Sequence, residues 1–150
     1  MTADASAEIE IRSLPDGPAW DDAWAVVREL RPHVDRDAFA ALCREAARRD
    51  GYTLYGAFAD GRLVGVMGMR ELVDLVHGRH LYVDDLVVTA AVRSRGVGRR
   101  LLAHAEGVAR ERGGLGLRLC TGIDHAPGRR FYEREGWTAR AVAYKKGFPA

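Results

Sequence analysis

A run of strand-type residues from His80 to Val88 (HLYVDDLVV) leads into a loop holding Gly96 and Gly98. It continues as a stretch whose apolar residues Leu101, Leu102, Ala105, Val108 and Ala109 follow helical spacing. No other feature limits the fold as much. Gly113-Gly114 ends this helical pattern, and LGLRLC (115–120) reads as a further short strand. Strand, helix and strand in that order form a right-handed parallel crossover, with the helix laid on a sheet and its N-terminus at the glycine loop.

The rest of the chain supplies the remaining elements. EIEIRSL (8–14) alternates as a strand, and PDGP is turn chemistry. Trp20, Ala23, Trp24, Val27 and Leu30 form a helical stripe broken at Arg31-Pro32. Asp35 or Asp37 can cap a second helix carrying Phe39, Leu42 and Ala46, closed by Gly51. TLYGAFA and RLVGVMGMREL flank Asp60-Gly61, a hairpin signal. GRRFYERE (128–135) reads as a short helix stopped by Gly136, and WTARAVAYKK (137–146) as a final strand. The expected fold class is α/β (α+β), a single mixed, mostly antiparallel central sheet flanked by helices.

The length, 150 residues, suits one domain over 1–150 with an ordered core of about 8–148. A net charge of +2 does not by itself point to nucleic acid, and the arginines at 93, 95, 99 and 100 lack interleaved aromatics. Cys43 and Cys120 form no CxxC pair, which fits free thiols in a reducing compartment. The acidic N-terminal stretch lacks the basic flank and apolar core of a secretory signal, and no apolar run is long enough for a membrane span. The expected location is the cytoplasm. His77 and His80 have an HxxH spacing, but on a turn with no evident further ligand, so no metal is expected.

Glycines between a strand and a helix let backbone N–H groups close on an anion, most naturally a phosphate or pyrophosphate. The nucleotide P-loop is excluded because Arg-Arg-Leu-Leu follows Gly98 where Lys-Ser/Thr is required. The dinucleotide fingerprint would need a third glycine at Leu101. The spelling present is R-x-x-G-x-G, from Arg93 to Gly98, followed by RRLL. It resembles the acyl-CoA loop of the GNAT (GCN5-related N-acetyltransferase) superfamily. Some thirty residues downstream, HAPGRRFYEREGW is similar to the second signature of that family, with Phe131, Tyr132, Glu133, Gly136 and Trp137 in frame. The resemblance covers about 8–148. Two positions depart from it: His125, where Asn is common, and Gly128, where Ala is common.

The resemblance implies an enzyme that moves the acetyl group of acetyl-CoA to a primary amine by direct attack in a ternary complex. It implies pyrophosphate binding by the amides of Arg95, Gly96, Val97, Gly98, Arg99 and Arg100, with Arg93, Arg95 or Arg99 nearby. Leu86, Val87 and Val88 would pair with the pantetheine arm as an added strand does. An N–H near Val87 or Val88 would polarise the thioester carbonyl. His125 and Phe131 would complete the cofactor contacts. Tyr132 is the implied general acid.

Asp84 or Asp85 could take the amine's proton. As neighbours on a strand they should point to opposite faces. Glu71 and Asp74 could line the same pocket. Trp20, Trp24, His33, Phe39, Tyr52 and Tyr55 could shape the acceptor site, for a small molecule or a peptide amine. The protein could act as monomer or homodimer, paired through 137–148. The rival readings are a non-catalytic acyl-CoA sensor on the same fold and an unrelated nucleotide-binding domain.

Overall fold

The computed structural model describes residues 8–93 and 95–149. Five strands, β1 (Ile9–Ser13), β2 (Thr53–Ala59), β3 (Arg62–Asp74), β4 (Gly78–Val88) and β5 (Gly116–Leu119), form one sheet in the order β1-β2-β3-β4-β5. The first four pair antiparallel. Between β2 and β3 the chain reverses at Asp60 (φ 50°) and Gly61 (φ 74°), the left-handed pair that a tight hairpin needs. Helices α1 (Ala19–Val27) and α2 (Arg36–Asp50) lie between β1 and β2 in the chain, and α3 (Val97–Glu111) joins β4 to β5. The Asp35 side chain accepts the Ala38 N–H at 2.8 Å to cap α2, and Gly51 ends that helix in the left-handed region. The α1 stripe stops at Val27, short of Leu30, because 28–30 turn away before Pro32.

Two apolar faces flank β3 and β4. On one, Val66 and Val87 pack with Val26 and Val27 of α1 and Phe39 and Cys43 of α2. On the other, Gly65 faces Val97 and Leu101 of α3 closely enough that a Cβ would press on both. Strict alternation would keep β4 on one phase throughout. Instead the register shifts by one: Gly68 pairs with Asp85 but Met69 with Val83, so Asp84 is an extra residue. This β-bulge inverts the alternation along β4. Val83 is cross-strand from Met69, two places on from the α3-facing Met67 and Gly65, whereas Val87 beyond the bulge joins the α1/α2 core.

The described chain divides into two compact units at Arg118/Leu119. The second carries α4 (Ala126–Arg134), which starts two residues earlier than its sequence pattern because Pro127 occupies its first turn. The strand expected over 137–146 does not form. Val142, Tyr144 and Phe148 are exposed. A strand cannot satisfy its own N–H and C=O groups, and this unit contains only the last residue of β5 as strand. No described helix is long and apolar enough to cross a membrane.

Candidate functional site

The bulge on β4 creates the first half of the site. Asp84 and Asp85 do not point to opposite faces as a regular strand would require; both line one cleft of about 330 Å³. The two-against-one pairing at Gly68 brings both carboxylates to the α1/α2 side. The cleft is walled by α1, α2 and the segment between them, including Val27, His33, Val34, Phe39 and Cys43. Gly68 is part of the construction. A Cβ there would overlap the Tyr52 hydroxyl, which crosses the strand at that point and donates to Asp85 Oδ2 at 2.7 Å.

The two carboxylates are held differently. Arg70 binds Asp84 through Nε at 3.1 Å to both oxygens and through Nη2 at 2.6 Å, and its Nη1 reaches Asp50 at 2.7 Å. Asp84 is only 14 % exposed. Burial raises its pKa despite the adjacent guanidinium, so it holds a proton more readily than a surface aspartate. Asp85 has a looser cationic partner: Arg31 Nε lies 3.2 Å from Oδ1, on a side chain 42 % exposed. Burial and the Asp85 charge push the Tyr52 phenol well above its ordinary value, so Tyr52 serves as a fixed donor. Burial first, then Asp85, pushes the Cys43 thiol up to about 12.

The second half of the site lies at the other end of β4. The Thr89 N–H donates to Val64 O at 2.9 Å. Antiparallel alternation then turns the N–H and C=O of Val88 and of Leu86 away from β3, and those of Val87 toward it. Leu86 and Val88 therefore present the strand groups that could take an added chain, and Val87 contributes its side chain to the core. Arg93 Nε already takes the Val88 carbonyl at 3.1 Å and stands 3.7 Å from Glu29.

Gly96 caps α3 at φ 79°, a conformation that side chains resist. Among the described residues no side chain caps the helix and no acid stands in its first turn, so its N-terminal amides and positive dipole end face no carboxylate of that turn. Val97 points into the core, so it can meet a ligand only through its backbone. Arg95 and Arg99 are exposed, and Arg100 latches onto the Ile9 carbonyl at 3.0 Å. Ser94 lies outside the described residues.

Within the second unit, the Tyr132 ring packs edge-on against Phe131 at 5.2 Å and Trp137 at 6.0 Å. Burial raises its pKa above the ordinary 10, which keeps the phenol protonated at neutral pH. The two departures from the family spelling prove to be linked. A Cβ on Gly128 would overlap the His125 ring, so the larger side chain at 125 requires the smaller at 128.

Of the other candidates, His33, Phe39 and Tyr52 line the cleft. Trp20 and Trp24 stand behind it, donating to Leu14 O and Val34 O and fixing the segment that forms its wall. Tyr55 does not belong to it; its ring lies 4.9 Å from His104 on α3. Glu71 and Asp74 do not line the cleft either. Glu71 pairs with Arg79 and Arg112, and Asp74 accepts the Val76 and His77 N–H groups in the β3–β4 turn. Asp74, His77 and His80 do bring ligand atoms within 4.8 Å of one another. Arg118 donates to His80 Nε2 at 3.2 Å and lies 3.8 Å from Asp74. Sequence reasoning missed Arg31 and Arg70, because nothing local links them to carboxylates 54 and 14 residues away.

Comparison with known proteins follows this geometry. The model of the acetyltransferase (GNAT) family matches residues 18–137. An uncharacterized N-acetyltransferase of Bacillus subtilis, YhdJ, is 27% identical over 139 residues, covering 92% of this chain and 98% of its own. The aminoalkylphosphonate N-acetyltransferase of Salmonella typhimurium is 32% identical over 132 residues, covering 84% and 83%. Among solved structures, the aminoglycoside N-acetyltransferase AAC(6′)-Iy in complex with CoA superposes with a TM-score of 0.80 at 21% identity, covering 93% of this chain and 95% of that one.

Proposed function

The chain belongs to the acetyltransferase (GNAT) family and is an N-acetyltransferase, and from that premise we propose that it acetylates a primary amine in the cleft beside Asp84 and Asp85, with acetyl-CoA as donor. The observation that carries this reading is the arrangement along β4. A paired-acid cleft stands at the bulge, outward-turned backbone groups follow at Leu86 and Val88, and an uncapped helix N-terminus lies beyond them.

In this reading the amides of Gly96, Gly98 and Arg99 receive the pyrophosphate, with Arg95 and Arg99 adding charge. An outward-turned N–H of this stretch, at Leu86 or Val88, polarises the thioester carbonyl. The incoming ammonium gives a proton to Asp85, or to Asp84 through water, and the neutral nitrogen attacks the carbonyl carbon. As the C–N bond forms the C–S bond breaks and Tyr132 supplies a proton to the departing sulfur; the nitrogen's second proton restores Tyr132 through solvent, and the proton first taken by the aspartate is released, one net proton per turnover. His125 and Phe131 remain the proposed flanking contacts of the pantetheine arm. That a relative of 32% identity acetylates aminoalkylphosphonates supports a small amine over a protein as acceptor.

Calorimetric titration with acetyl-CoA, with ATP and NAD as controls, tests the donor. Selective micromolar binding, about −8 kcal/mol, is the expected result. Preference for ATP or NAD would refute the reading. Tyr132→Phe should lower kcat about 10²-fold while leaving the acetyl-CoA dissociation constant unchanged; an unchanged kcat would remove Tyr132 as the acid.

A further inference from the structure

The cleft contains two arginines, and they are not equivalent. Arg70 is fixed by three contacts to Asp84 and one to Asp50. Arg31 comes from the short segment between α1 and α2, stands on the half-exposed rim, and touches the Asp85 carboxylate through Nε alone. Its second contact, to the Asp84 carbonyl, is long at 3.4 Å. Tyr52 donates to Asp85 from the opposite side and is fixed over Gly68, so Asp85 keeps its orientation if Arg31 leaves. One cation seat in this cleft is permanent and the other is exchangeable.

We infer that the acceptor is a small monoamine with an apolar body, whose ammonium group takes the seat on Asp85 now held by the Arg31 guanidinium. The inference rests on the acetyl-transfer reading above. Three further features fix the class. The four charged side chains lining the cleft balance, Asp84 and Asp85 against Arg31 and Arg70. Exchange of one guanidinium for one ammonium preserves that balance, whereas a second positive charge on the acceptor would find no further carboxylate in the lining, Asp50 being held by Arg70 outside it. Most of the remaining wall, Val27, Val34, Phe39, Leu42, Cys43 and Ala46, is apolar; beside Tyr52, whose hydroxyl is taken by Asp85, only His33 there offers a polar side chain to the hydroxyls of a sugar. Finally, a cleft of about 330 Å³ lies at the lower end of small-molecule sites, which run from about 300 to 1,000 Å³.

The exchange also serves the chemistry. Once Arg31 swings out, the only cation facing Asp85 is the ammonium that must lose a proton. The exchange thus brings the nitrogen to be acetylated directly against Asp85.

The test uses the full chain with acetyl-CoA and three acceptors: 2-phenylethylamine, spermidine and an unblocked tripeptide. The expected result is a kcat/KM for 2-phenylethylamine at least tenfold above the other two. Arg31→Met, which keeps the aliphatic stem, should lower KM for 2-phenylethylamine several-fold and leave the acetyl-CoA dissociation constant unchanged. A preference for spermidine or the tripeptide overturns the inference. So does a raised KM in Arg31→Met, which would mean that Arg31 binds the acceptor. Normal acetyl-CoA binding with none of the three acetylated also overturns it and leaves the donor assignment standing. Absent acetyl-CoA binding defeats the acetyl-transfer reading itself.

Discussion

The two ends of β4 treat charge in opposite ways. At the bulge, every carboxylate has an arginine partner inside the protein, and Tyr52 adds a neutral donor. At the glycine loop, the start of α3 has no cap, no acid in its first turn, and arginines at 95 and 99 on the surface. One end pairs its charges within a cleft; at the other Glu29 stands beside Arg93, but the first turn of α3 carries no acid and lies at the surface. A compensated site can admit a cation only by exchange and therefore selects for size and charge count. An uncompensated helix terminus takes a polyanion by simple addition, and its binding depends on ionic strength. Selectivity and affinity are thus assigned to different ends of one strand.

The largest expected effect tests the enclosed end. Asp85→Asn removes the group proposed to accept the amine's proton while keeping its shape, so kcat/KM should fall about 10²-fold or more with acetyl-CoA affinity unchanged. Equal loss of acetyl-CoA binding would mean that the two ends are not separable. Next comes the open end. Gly96→Val forces a β-branched residue to φ 79°, where strain of about 1–2 kcal/mol is expected. The loop should distort, acetyl-CoA affinity should drop about tenfold, and the KM for amine should hold. An unaffected dissociation constant would sink the loop assignment.

The same contrast explains how much could be read in advance. The loop is a local object: Arg93 to Gly98 are contiguous, and helix start, glycine conformation and charge are all decided within six residues. The helix caps at Asp35 and Gly51 and the Asp60-Gly61 hairpin were legible for the same reason. The cleft is a non-local object. It depends on a bulge that no residue type announces, on Tyr52 crossing Gly68, and on arginines at 31 and 70 whose partners lie far along the chain. Period-2 reasoning placed Asp84 and Asp85 on opposite faces because it assumes an unbroken ladder. The segment 137–146 failed for a related reason: strand-like composition does not supply a pairing partner.

A smaller effect sharpens the claim that the cleft is built around a missing side chain. Gly68→Ala puts a Cβ onto the Tyr52 hydroxyl, and the tyrosine must move off Asp85. Overpacking of this kind costs about 1–3 kcal/mol, which at this chain length lowers the melting temperature by about 2–10 °C. Paired with Tyr52→Phe, the double variant should recover little, because a phenyl ring still meets the Cβ. With Tyr52→Ala it should recover most of the loss. Failure of both doubles to recover stability would show that Gly68 is required by the backbone rather than by Tyr52.

The smallest effect is a matter of thiol chemistry, and it reads the enclosure of the cleft without any substrate. Cys43 lines the cleft, and burial with the nearby Asp85 charge lifts its thiol to about 12, while Cys120 is exposed. The thiolate is the reactive form. At pH 8 a thiol of pKa about 12 is ionised to about one part in 10⁴. Iodoacetamide at pH 8 should therefore leave Cys43 intact while it reaches the exposed Cys120, and the Cys43 rate should rise about tenfold per pH unit up to the pKa. Asp85→Asn removes one cause of the shift but leaves burial, the largest, and the Asp16 charge, so Cys43 should become only modestly more reactive. Rapid alkylation of Cys43 in the wild type at pH 8 would mean that the cleft admits water freely. The exchange of Arg31 for an ammonium would then bring no loss of screening, and the contrast between the two ends of β4 would reduce to one of charge alone.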